Sequence, residues 1–117
     1  MFQKDMRVSL LLDFYGDLLP EKRRELIDLY YNDDLSLSEI AEIRGITRQG
    51  VRDSVKKSEA ELFSLESKLG LVKRYETLRE QLSEICSSVT KIASGLEDST
   101  ASSELRCVCE RLSGLSI

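Results

Sequence analysis

The sequence contains no histidine. With it go the commonest general base, the commonest metal ligand and the usual partner of a nucleophilic serine or cysteine. A non-enzyme is therefore expected, with no catalytic residue, no metal and no cofactor. Proline is nearly absent too, represented by Pro20 alone, and there are six glycines in 117 residues. Long helices meet few breakers, and the abundant Leu, Glu, Lys, Ala and Arg favour them. No apolar run approaches the roughly 18 residues a spanning helix needs. Met1–Met6 (MFQKDM) lacks the apolar stretch of a secretory signal, so a cytoplasmic protein is expected. The three cysteines make an odd count, and Cys107 and Cys109 stand one residue apart, too close for an ordinary disulfide framework. Reduced thiols are expected, and without further Cys or His the Cys-x-Cys pair is an incomplete metal site.

What remains is an all-α pattern. Arg7 to Leu19 places Leu11, Leu12, Phe14, Tyr15, Leu18 and Leu19 on one apolar stripe at helical spacing, which predicts a first helix. Pro20 stands where a helix can begin, and Glu21 suits the positive end of the dipole. A second helix follows to about Tyr31, burying Leu26, Ile27, Leu29 and Tyr30 in part. Ser36-Leu37-Ser38-Glu39 has capping-box spacing and starts a third helix. Gly45 ends it, with the left-handed conformation that turns the chain. Thr47 caps a fourth helix, running past Val51, Val55, Leu62 and Leu65 toward Gly70.

From Leu71 the apolar residues Leu71, Tyr75, Leu78, Leu82, Ile85, Val89, Ile92 and Leu96 alternate steps of four and three. That is a heptad seam. Such a helix pairs along its length, by folding back or by dimerising, and Tyr75, Leu78, Leu82, Ile85, Val89 and Ile92 are the candidate contacts of a homodimer. Ser94–Ser103 is small, polar and turn-rich, hence a flexible connector. Glu104 to Leu115 repeats the spacing in a short last helix. The expected organisation is a domain over 1–70, the seam helix over 71–96, and connector plus terminal helix over 97–117.

The stretch LSEIAEIRGITRQGVRDSV, Leu37 to Val55, has the spacing of a helix-turn-helix. Ile40 and Ala41 face inward, Gly45 makes the turn, Ile46 plugs the core beneath it, and Val51 and Val55 anchor the fourth helix. Ala41 is small where two helices cross, and overpacking there would typically cost about 1–3 kcal/mol. Arg44 stands where many such motifs bury a leucine or methionine, so its stem is expected to cover the core with the guanidinium in solvent. Ser54 likewise replaces a common aliphatic, with Val55 beside it to pack instead. If the fourth helix enters a major groove, Arg48, Gln49 and Arg52 are its readers, Lys56 and Lys57 meet phosphate, Gly50 lets the backbone approach, and Arg44 joins them as a candidate nucleic-acid-binding residue.

Net charge is −4, yet its distribution is uneven. From Arg44 to Lys57 five basic residues and one acid give +4, whereas Met1 to Ile43 carries five basic and ten acidic residues, giving −5. A basic face suits DNA or RNA if the acidic helices point elsewhere. The competing surface is acidic, with Asp13, Asp17, Glu21 and Glu25 offered to a basic protein, and a plain solvated face is the bland alternative to both.

The stretch LLDFYGDLLPEKRRELIDLYYNDDLSLSEIAEIRGITRQGVRDSVKKSEAEL resembles the YlxM family of small bacterial helix-turn-helix proteins, from about Val8 to Tyr75. Asp13-Phe14-Tyr15, Leu18-Leu19, Leu29-Tyr30-Tyr31, Asp34, Ser36–Glu39, Thr47–Val51 and Asp53 carry the likeness. It implies a sigma-region-four-like fold and DNA binding, with Arg48, Gln49 and Arg52 as the positions carried over. It also implies a role beside the signal recognition particle, whose protein, GTPase or RNA would be partners. The same motif closes sigma factors. Their promoter-melting regions are missing from this sequence, so a relative of that module is expected, not a working sigma factor.

Overall fold

A computed structural model describes residues 4–115. Of the opening Met1–Met6 segment, Met1, Phe2 and Gln3 lie outside the described residues, as do Ser116 and Ile117 at the other end. The described residues form six α-helices and one 3-10 turn, and no strand occurs among them. The chain divides into two compact units, Met1–Val72 and Lys73–Ile117.

In the first unit, α1 (Met6–Tyr15) is capped by the Asp5 carboxylate, which accepts from the Arg7 N–H at 2.9 Å. It does not run on to Leu19 as one helix. Gly16–Leu18 tightens into a 3-10 turn, and this rotation carries Leu18 off the stripe to 60% exposure while Leu19 returns to the core. The chain then passes through Pro20, the N-cap of α2 (Glu21–Tyr31).

Ser36 and Glu39 make both bonds of the capping box that opens α3 (Leu37–Arg44), each at 3.1 Å. Gly45 takes φ +67°, and its N–H bonds back to the Ala41 carbonyl. Thr47 Oγ1 accepts from the Gly50 N–H at 3.0 Å and starts α4 (Arg48–Leu69), which ends at left-handed Gly70. Together these caps satisfy backbone donors that a helix end leaves open.

The long α4 is the spine of this unit, and α1, α2 and α3 all pack on it. Val51, Val55, Ser58 and Leu62 form its buried face, meeting Val8, Leu11, Tyr15, Ile27, Tyr30 and Ile40. Burying each such aliphatic side chain contributes roughly 1.5–3 kcal/mol before chain entropy is subtracted. Ile46 does not plug this core. It is 43% exposed, because the left-handed turn at Gly45 projects the next side chain outward.

The buried Tyr15 and the half-buried Tyr31 tie α4 to the chain around it. The Tyr15 hydroxyl donates to Glu66 Oε1 at 2.6 Å and accepts from the Leu71 N–H at 3.1 Å, while Glu66 also receives the Val72 N–H. Tyr31 donates to Glu59 at 2.6 Å. Burial, followed by the hydrogen bond to a carboxylate, pushes both phenols above their ordinary value.

The helix α5 (Leu71–Ser94) begins in the first unit and continues through the second, where α6 (Ser99–Ser113) folds back on it. The flexible connector shrinks to residues 95–98. Asp98 accepts from the Thr100 and Ala101 N–H groups and starts α6 five residues earlier than the apolar spacing indicates. Small side chains mark the crossing. Ala93 is buried, and Ser102 Oγ donates to the Ala93 carbonyl at 3.0 Å.

Candidate nucleic-acid interface

The helix-turn-helix is formed by α3, the Gly45 turn and the first half of α4. Val51 and Val55 have no exposed surface, so they fix the rotation of α4 about its axis. With that face anchored, Arg48, Arg52 and Lys56 fall at intervals of four along a single ridge. Arg48 and Lys56 are exposed and Arg52 is half-buried. Lys57 is exposed further round the helix.

Gln49 is held in place. Its Nε2 donates to Asp53 Oδ1 at 2.8 Å, one turn along, which leaves the second amide hydrogen and the carbonyl oxygen for a base edge. The single acid of the basic stretch is thereby spent on orienting a reader. At Gly50 a Cβ would sit 3.1 Å from the capping Thr47 hydroxyl, so the first turn of α4 packs tightly where a polyanion would approach. Arg44, one residue before the turn, directs its guanidinium to 3.7 Å from Glu25 on α2.

An N-capped helix anchored by valines, turned on a left-handed glycine after a short capped helix, is a helix-turn-helix in three dimensions as well as in spacing. The profile of UPF0122, described as "Putative helix-turn-helix protein, YlxM / p13 like", matches residues 2–101. The chain belongs to the UPF0122 family. A UPF0122 protein of Thermoanaerobacter sp. strain X514 is 47% identical over 90 residues, covering 77% of this chain and 71% of its own. That of Halalkalibacterium halodurans is 43% identical over 97 residues, 83% of this chain and 89% of its own, and that of Listeria welshimeri 42% over 91 residues, 78% and 83%.

In this UPF0122 chain the acidic positions are scattered over α1, the 3-10 turn and α2. Asp13 and Glu21 are exposed. Asp17 is ion-paired with Arg24, which also approaches Asp28 at 3.7 Å, and Glu25 stands against Arg44. Two of the four candidate acids thus meet basic residues of the same chain.

The heptad residues separate into two groups. Leu82 and Val89 are half-buried, as is Tyr75, whereas Leu78, Ile85 and Ile92 are 51%, 47% and 58% exposed. Spacing groups Val108 and Leu115 with Leu105 and Leu112 in the last helix, yet Val108 and Leu115 are open to solvent. Counted from Leu105, Cys109 and Leu112, which are half-buried, the helical period puts Val108 on a separate flank. Among the described residues no group of three or more Cys, Asp or Glu side chains is placed to hold a metal ion. No helix of the described residues is long and apolar enough to cross a membrane.

Proposed function

We propose that the protein is a DNA-binding regulator whose α4 enters the major groove. The observation carrying this reading is the ridge of Arg48, Arg52 and Lys56 along the flank of a helix whose buried face is fixed by Val51 and Val55. Arginine bonds guanine bidentately and the positioned Gln49 amide matches adenine, while Lys56 and Lys57 neutralise phosphate. The net negative charge is no obstacle, because much of the acidity on α2 is met by Arg24 and Arg44. The role is binding, without a catalytic step, and belongs to the cytoplasm, where such DNA lies. The likeness to the YlxM family supports a place in the signal recognition particle pathway, and the likeness to sigma region four supports duplex DNA as the polyanion.

The test is selection from a randomised duplex pool followed by anisotropy titration of the enriched sequence. Arg48→Ala and Arg52→Ala are each expected to weaken binding by about 1–3 kcal/mol and to relax specificity at one base pair. Equal affinity in both variants would overturn the reading.

The regulator acts as a homodimer joined through the second unit. Among residues 73–115 Ala93 alone is a buried hydrophobic, too little core for an independent two-helix unit. Leu78, Ile85 and Ile92 on α5, with Val108 on α6 and Leu115 just after it, are exposed apolar side chains that a second copy would cover. The charged residues near them, Arg74, Glu84, Lys91, Glu104 and Arg111, mix signs, so two identical faces do not repel. Sedimentation should give a dimer that Ile85→Arg dissociates, and a wild-type monomer at tens of micromolar would refute it.

A further inference from the structure

On the α5–α6 hairpin the thiols of Cys86 and Cys109 face one another. The Cys86 thiol donates to the Cys109 carbonyl at 3.4 Å, and the Cys109 thiol donates to the Cys86 carbonyl at 3.4 Å. This reciprocity places each sulfur over the other residue's backbone, so both Cα–Cβ bonds converge on the same interhelical space. Close approach is secured nearby by Ala93 and Ser102, whose hydroxyl reaches the Ala93 carbonyl of the facing helix. Both cysteines are half-buried, not sealed, and two surface grooves open beside them, one at Cys86 that includes Arg79 and one at Cys109 that includes Thr90, Arg106 and Glu110. Both grooves are lined by residues other than the exposed apolar ones assigned to a second copy.

We propose that Cys86 and Cys109 are a modification site, forming a reversible disulfide that clamps α5 to α6. The oxidant is a small-molecule disulfide, whose anionic forms suit Arg79 in the groove beside Cys86. The Cys86 thiolate attacks one sulfur of the oxidant, breaking its S–S bond, and the departing thiolate takes up a proton. Cys109 then surrenders its proton and attacks the sulfur on Cys86, releasing the second small thiol. Two protein thiols are oxidised, one small disulfide is reduced, and both protons end on the two small thiols. Thr90 favours the Cys109 thiolate, but hydrogen bonding with Cys86 and burial outweigh it and hold the Cys109 thiol above its ordinary value. Cys109 is accordingly the resolving sulfur and Cys86 the one that attacks the oxidant first. Cys107, exposed two residues away, takes no part.

The experiment uses the full chain carrying Cys107→Ser, treated with oxidised glutathione and read by intact mass and peptide mapping. The expected product is 2 Da lighter (order of magnitude of two hydrogens lost, as the exchange requires), has no free thiol, carries no glutathione and reverts with dithiothreitol. Adding Cys109→Ser should instead trap one glutathione on Cys86. Two stable glutathione adducts on the Cys107→Ser chain, or disulfides only between chains, would overturn the proposal. In the unmutated chain a Cys86–Cys107 bridge would overturn it equally.

Discussion

Replacing Gly45 by alanine isolates the backbone requirement of the helix-turn-helix from every packing effect. Gly45 has φ +67°, and a Cβ added there would meet nothing within 4 Å, so no steric clash enters. The cost is conformational alone. An L-residue forced into the left-handed region loses roughly 1–2 kcal/mol, while the smaller entropy of the unfolded alanine chain returns about 0.4–1 kcal/mol. A net destabilisation of about 1 kcal/mol follows, equivalent to roughly 4–8 °C in the midpoint of a unit this size. Gly45→Asn should recover most of it, because asparagine visits this region readily. Urea unfolding followed by tyrosine fluorescence, in a Tyr75→Phe background, reports the first unit, which holds Tyr15, Tyr30 and Tyr31. The reasoning fails if Gly45→Ala unfolds at the wild-type urea concentration, or if asparagine is no better than alanine.

Ser58 on α4 has no exposed surface and its hydroxyl has no hydrogen-bond partner, so Ser58→Ala should raise stability by about 1 kcal/mol, and a lower midpoint would contradict this. Arg23 is largely buried, donates to Glu61 at 2.6 Å and leaves Nη1 unpaired; Glu61→Ala should therefore destabilise more than Arg23→Met, since only the former strands a buried charge. Tyr15, Tyr30 and Tyr31 are held above 10.0 in the fold, chiefly by burial. Their contribution is full below pH 10.0 and lost as pH rises through the folded values, so stability should fall above pH 10, less steeply in Tyr15→Phe, with the phenolate absorbance appearing together with unfolding.

The features legible in the sequence are those whose physics is local. Ser36 with Glu39, Thr47 with Gly50, and the glycines at 45 and 70 each act within a few residues of chain, and all sit in the structure as the spacing indicates. Ile46 and Leu18 were misplaced for one shared reason: a change of local backbone, the left-handed turn in one case and the 3-10 turn in the other, rotates the side chain by an amount that helical periodicity does not contain. The early start of α6 was hidden because Ser, Thr and Asp suit a helix cap as well as a flexible loop, and docking on α5 decides between them. The pairs Tyr15 with Glu66, Arg23 with Glu61 and Cys86 with Cys109 join residues 51, 38 and 23 positions apart. No single-sequence pattern connects such distances. Arg44 is intermediate, since its exposed head follows from its type but its direction toward Glu25 does not.

That direction also separates the two functional readings. At 3.7 Å and with both side chains over 40% exposed, the Arg44–Glu25 pair is a loose surface contact, worth about 0–1 kcal/mol of stability. Glu25→Gln should leave the fold intact while releasing the Arg44 guanidinium at the C-terminal end of α3, one residue before the turn. If the polyanion lies along α4, the released arginine gains a phosphate, and one added contact steepens the dependence of log affinity on log salt by about 0.9. Binding at low salt should tighten correspondingly, and Arg44→Ala in the same background should abolish the gain. An acidic docking surface for a basic protein makes the opposite demand: removing the Glu25 charge must weaken capture, with Arg44 irrelevant. Salt-dependent anisotropy on wild type, Glu25→Gln and the double variant therefore assigns the sign, and an unchanged or shallower slope in Glu25→Gln would remove Arg44 from the interface.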